Sequence, residues 1–87
     1  MFVQTEPTPN PATLKFLPGR EVMKEGTIFF QNIDSAANSP LAQNLFNVKG
    51  VESVFFGSDF ITITKAEANE WTLMKPAILG CIIEHFT

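Results

Sequence analysis

The chain has a single cysteine, Cys81, and little charge of either sign. One thiol cannot close an internal disulfide, which excludes a small secreted disulfide scaffold and any metal site built from several thiolates of one copy. A reducing compartment is the simpler reading. Six Lys and Arg stand against nine Asp and Glu, for a net charge of −3. The basic residues form no stripe, which argues against a protein that grips a phosphate backbone. No run reaches the ~18 apolar residues of a membrane span. Met1 to Glu6 lacks the basic start and apolar core of a targeting signal. Internal repeats and low-complexity tracts are missing. The glycines are dispersed singly, so there is no phosphate-cradling loop. The acidic residues form no close pair in a credible cleft, and Glu67 and Glu70 fall in the connection before the last helix, where water solvates them.

What is present is one small domain spanning residues 1–87. Hydrophobic residues make up 45% of the chain and nine are Phe, enough for a single core without staples. Pro7, Pro9 and Pro11 fix their own φ angles and push the preceding residues away from helix, so this stretch reads as a stiff connection. Short strands are expected on either side of it, over Phe2 to Glu6 and Thr13 to Leu17, with Leu14 and Phe16 sharing a face. Thr27 to Gln31 reads as a third strand with Ile28 and Phe30 on one face, followed by a polar, irregular stretch from Asn32 to Asn38. Ser39-Pro40 has the form of an N-cap and first helical residue. Leu41, Leu45 and Val48 then line one helix face, and Gly50 ends the helix.

Val51 to Gly57 and Phe60 to Lys65 are expected to form a hairpin with a two-residue turn at Gly57-Ser58. That register pairs Phe56 with Asp59, Phe55 with Phe60 and Val54 with Ile61. It puts Val54, Phe56, Ile61 and Ile63 on one face, and Phe55 and Phe60 on the other beside Ser53, Thr62 and Thr64. Trp71, Met74, Ile78, Cys81, Ile82 and Phe86 recur at three and four residues and specify a second helix, with Pro76 in its early turns. The expected fold is therefore α+β: a small, mostly antiparallel sheet with two helices packed on one face.

Chemistry is sparse. Cys81 and His85, four apart on one helix side, would offer zinc a thiolate and an imidazole from each of two copies. The bland reading is stronger, because Cys81 continues the apolar stripe of Ile78 and Ile82 and His85 suits a helix C-terminus. A thiolate nucleophile needs an electropositive, partly open setting that such a stripe does not supply. Phe55 and Phe60 say more. Paired aromatics facing away from the helices mark a contact surface, unless the N-terminal strand or the Pro7 to Pro11 segment folds over them. Thr8, Asn10, Lys15 and Arg20 are further candidates for partner contact, although Thr and Asn between prolines commonly serve turn hydrogen bonds.

Two blocks carry a family resemblance: Thr8-Pro9-Asn10-Pro11-Ala12-Thr13-Leu14-Lys15-Phe16-Leu17-Pro18-Gly19, and residues 45–65 from Leu45-Phe46-Asn47-Val48-Lys49-Gly50 through Phe60-Ile61-Thr62-Ile63-Thr64-Lys65. Together with Trp71 and Lys75-Pro76 they resemble the N-terminal domain of Nfu/NifU-type iron-sulfur cluster scaffold proteins. The resemblance implies an accessory, non-enzymatic protein-interaction domain whose partners are iron-sulfur assembly proteins or recipient apoproteins. It also implies that the cluster belongs to a separate C-terminal domain with a Cys-x-x-Cys pair, leaving this chain without cofactor. The location implied is the bacterial cytoplasm, or the mitochondrial matrix for a mature eukaryotic fragment. An ending at Glu84-His85-Phe86-Thr87, directly after a helix, favours a piece of a longer protein over a natural stand-alone domain. The alternative function is a stand-alone structural or oligomerising module.

Overall fold

The computed structural model describes all residues 1–87. Five strands, β1 (Gln4–Pro7), β2 (Thr13–Leu17), β3 (Ile28–Phe30), β4 (Val51–Phe56) and β5 (Ile61–Lys65), form one antiparallel sheet in the order β1-β2-β5-β4-β3. A single 3-10 turn (Ile33–Ala36) precedes helix α1 (Pro40–Phe46), and α2 (Trp71–Phe86) closes the chain. The α+β fold with an antiparallel sheet is thus the one its periodicities specify.

Strand alternation decides which face the helices cover. Leu14 and Phe16 of β2, Phe30 of β3, Val54 and Phe56 of β4, and Ile61 and Ile63 of β5 all point to one side and are buried. Leu41, Ala42 and Leu45 of α1 and Met74, Ile78 and Ile82 of α2 complete the same core. No polar side chain is buried in it, so the fold rests on apolar burial with no desolvation cost of the kind unpaired polar groups carry. Trp71, Cys81 and Phe86 pack at its margin, half-buried.

Local chemistry fixes the ends of the elements. Ser39 caps α1, its hydroxyl accepting from the Ala42 amide at 3.3 Å, with Pro40 in the first helical position. Gly50, at φ +97, turns the chain into β4 in a conformation that L side chains avoid. Pro76 lies inside α2 and leaves the Thr72 carbonyl without its helical donor. The stretch after β3 is more ordered than its polarity suggests. Asn32 and Ser35 cap the 3-10 turn reciprocally, each side chain bonded to the other's backbone amide.

The hairpin register differs from the expected one. Phe56 pairs with Ile61, Phe55 with Thr62 and Val54 with Ile63, so the connection has four residues, Gly57 to Phe60, rather than two. The cause lies outside the hairpin: the Ser58 carbonyl accepts amides from Val22 at 2.7 Å and Met23 at 3.2 Å, which tie the loop to the segment before β3. A shift of two keeps side-chain parity. Val54, Phe56, Ile61 and Ile63 therefore still share the core face, while Phe60 leaves the ladder and enters the loop.

Candidate interaction surface

Because both helices pack on one side, the other face of the sheet is bare. One continuous row crosses it. Glu6 faces Lys15 between β1 and β2, Lys15 faces Thr62 on β5, Thr62 faces Phe55 on β4, and Phe55 faces Phe29 on β3. A second, shorter row of hydroxyls runs beside it from Thr13 to Thr64 to Ser53, with the Thr13 and Thr64 oxygens 3.0 Å apart.

Phe60 reaches into the first row from the loop. Its ring stacks on Phe55 with centroids 6.0 Å apart and planes 28° from parallel. The Lys15 ammonium sits 4.4 Å above the Phe60 centroid, a cation–π arrangement that holds the charge over the patch. Lys15 makes no ion pair within 4.0 Å. Phe55 and Phe60 are half-buried by each other and their neighbours, and Phe29 is 58% exposed.

Neither segment expected to cover the pair does so. β1 lies in the plane of the sheet, at its edge beside β2. The Pro11 carbonyl is turned to Trp71, whose indole N–H donates to it at 3.0 Å. Three of the six candidate contact residues lie elsewhere. The Thr8 hydroxyl donates to the carbonyls of Asn10 and Thr13 at 2.8 and 2.9 Å, and the Asn10 side chain accepts the Ala12 amide at 2.9 Å, so both build the turn between β1 and β2. Arg20 donates to the Phe86 carbonyl at 3.0 Å and lies over the Phe86 ring. There it caps the C-terminal end of α2. Phe29 is the surface residue that sequence reasoning passed over. Alternation in Ile28-Phe29-Phe30 puts its side chain opposite the core, but nothing local says that β3 lies beside β4.

Cys81 sits on the flank of α2, its thiol 3.6 Å from the Asn44 carbonyl, at the edge of a groove of about 720 Å³ between the C-terminal end of α1 and α2. Burial pushes this thiol up from its ordinary pKa, and the Glu84 carboxylate adds to the effect. That is opposite to the activation a nucleophilic or metal-binding thiolate needs. His85 is exposed and packs edge-on against Phe86. No group of three or more His, Cys, Asp or Glu side chains converges to hold a metal ion.

Known proteins share this architecture. The chain is 56% identical over 87 residues to the mitochondrial NFU1 iron-sulfur cluster scaffold homolog of Drosophila willistoni, and 45% identical to the mitochondrial NifU-like protein 4 of Arabidopsis thaliana. It spans 30% and 31% of the length of these curated relatives. The solution structure of a NifU-like protein from Saccharomyces cerevisiae superposes with a TM-score of 0.87 at 33% identity, over 98% of this chain and 77% of that one. The crystal structure of a Staphylococcus aureus protein, 22% identical, shares the fold with a TM-score of 0.80 over 94% of this chain and 99% of its own. The family model described as scaffold protein Nfu/NifU N terminal matches residues 3–87, and the chain accordingly belongs to the Nfu/NifU N-terminal family of iron-sulfur cluster scaffold proteins.

Proposed function

We propose that this chain is the protein-interaction domain of an iron-sulfur cluster scaffold and that it docks the scaffold on assembly proteins or recipient apoproteins through the open face of its sheet. The observation that carries the reading is the Phe29, Phe55, Phe60 and Lys15 constellation. It groups three aromatic rings, Phe29 exposed and Phe55 and Phe60 half-buried, with a cation on the sheet face that the two helices leave uncovered. Family membership supplies the context in which such a surface has partners. In this reading the chain holds no cluster, because it offers one thiolate where a cluster wants several, and it performs no catalytic step. Its work belongs in the compartment where clusters are assembled, the bacterial cytoplasm or the mitochondrial matrix.

The test is a titration of the purified chain against purified cluster-assembly and recipient proteins, repeated with Phe29→Ala combined with Phe55→Ala. The variant should remain folded and bind at least ~10-fold more weakly, as removal of buried aromatic anchors usually does. Unchanged affinity for every partner would overturn the reading. A self-associating module is the competing one, and the observation favouring it is Leu73 on the outer side of α2, 80% exposed. A monomer at high concentration by sedimentation decides against it.

A further inference from the structure

We propose that the open sheet face seats one amphipathic helix of the partner protein, and that this helix carries an acidic residue that closes on Lys15. The inference rests on the docking role above and names the chemistry of what docks.

Lys15 is the only cation in the row Glu6, Lys15, Thr62, Phe55, Phe29. Its ammonium is held over Phe60, and Glu6, which faces it from the edge strand β1, does not come within 4.0 Å of it. A partner that covers the rings must also cover this charge, and a desolvated ammonium calls for a counter-charge in the covering surface. The size of the patch selects the element. Three interstrand steps of ~4.8 Å separate Phe29 from Lys15, a width of ~14 Å that takes one helix of ~10–12 Å diameter and not two. The backbone groups of the three central strands are spent within the sheet, so contact over this face is made by side chains. An apolar helical stripe is the usual cover for a sheet face, as α1 and α2 show on the opposite side. The Thr13, Thr64 and Ser53 hydroxyls flank the aromatic patch and meet the polar margin of such a helix.

A second copy of the chain fits less well. A two-fold axis through Thr62, at the middle of the row, sets Lys15 against Phe55 and Glu6 against Phe29 across the axis. Neither charge then meets its opposite, and an axis between Glu6 and Lys15, which does pair them, leaves Phe55 and Phe29 uncovered.

The test uses three synthetic helical peptides of about five turns with an identical leucine stripe and Glu, Gln or Lys at one flanking position, titrated into the isotope-labelled chain by NMR. The Glu peptide should bind about tenfold more tightly than the Lys peptide, with shifts centred on Lys15, Phe29, Phe55 and Phe60. Lys15→Glu should invert the order, and Lys15→Met should abolish it; thermal melts check that both variants are folded. Equal affinities, no inversion, shifts centred on the α1–α2 groove, or no binding by any peptide would each overturn the inference. None of these results would touch the docking role, which the titration with whole partner proteins decides separately. Concentration-dependent dimerisation through Phe29 would assign the face to a second copy and overturn it as well.

Discussion

The ring of Phe60 lies against the α-carbon of Gly57 so closely that a β-carbon at position 57 would overlap three of its ring atoms. The two residues also close the hairpin loop, the Gly57 amide donating to the Phe60 carbonyl at 2.9 Å. Gly57 is needed here for space and not for backbone conformation, since its φ is not positive. Absence of one side chain thus lets Phe60 lie down, stack on Phe55 and come under Lys15.

Gly57→Ala should therefore displace the Phe60 ring. Inserting a methyl group into a filled site costs roughly 1–3 kcal/mol, and a half-buried ring that can swing outward puts this case at the low end. The Lys15 side-chain protons should lose the ring-current shift that Phe60 imposes, a change visible by NMR. If those protons stay where they are, the ring is not held by the glycine.

The two faces of β4 offer a comparison at constant chemistry. Phe56 is 5% exposed and packs edge-on against Phe30 with centroids 5.2 Å apart, whereas its neighbour Phe55 is half-buried on the open face. Phe56→Ala should cost roughly 3–5 kcal/mol, a large part of the ~5–10 kcal/mol expected for a domain of this size. Phe55→Ala with Phe60→Ala should leave the fold standing. Denaturant midpoints measure both, and equal losses would place all three rings in the core.

The core was legible in the sequence because parity survives errors of register. Val54, Phe56, Ile61 and Ile63 share a face whether Phe56 pairs with Asp59 or with Ile61, and alternation alone assigns them. The loop was not legible, because the bonds from Val22 and Met23 to the Ser58 carbonyl are long-range and have no local signature. The same distinction divides the candidate site. Phe55, Phe60 and Lys15 come together because strand order brings β2, β5 and β4 side by side, while Phe29 was missed for want of that order. Arg20 is spent at the end of a helix 66 residues away, a contact that no spacing rule reaches.

Cys81 should be a slow thiol. Its pKa is raised, first by burial and then by Glu84, so the reactive thiolate is scarcer at neutral pH than in the unfolded chain. Alkylation in native buffer should lag well behind that in denaturant and accelerate only at alkaline pH, and Glu84→Gln should speed it modestly. The sign for stability follows. The native chain keeps this proton to higher pH than the unfolded chain, so the stabilisation is fully present below the unfolded thiol's pKa and is lost as pH rises through the native one. Labelling as fast as in denaturant would contradict the placement of Cys81 against Asn44.

Trp71 ties α2 to the proline-rich turn. Its indole N–H donates to the Pro11 carbonyl at 3.0 Å, and its ring meets Phe16 edge-on. Trp71→Phe keeps an aromatic ring against Phe16 and removes the donor, so the cost should be on the order of 1 kcal/mol, while Trp71→Ala should cost several-fold more by also opening the margin of the core. Thermal melts of the two variants separate the hydrogen bond from the packing. Equal losses would mean that the hydrogen bond accounts for nearly the whole effect.

The final prediction concerns the cluster itself. An iron-sulfur cluster wants several thiolates, and this chain provides Cys81 alone, half-buried on α2 with its pKa raised and its Sγ 3.6 Å from a backbone carbonyl. Two copies would supply only two thiolates, and each would first have to leave the flank of α2 and lose its proton against the push of Glu84. His85, one helical turn further on, is exposed beside Phe86, yet a thiolate and an imidazole from each copy form a site only if two such helices meet side by side. Anaerobic reconstitution of this chain, followed by iron and sulfide quantification, should recover no stoichiometric cluster. Recovery of one cluster per two chains, abolished by Cys81→Ser, would show that the thiol is released from its packing, and the scaffold's chemistry would then extend to this domain.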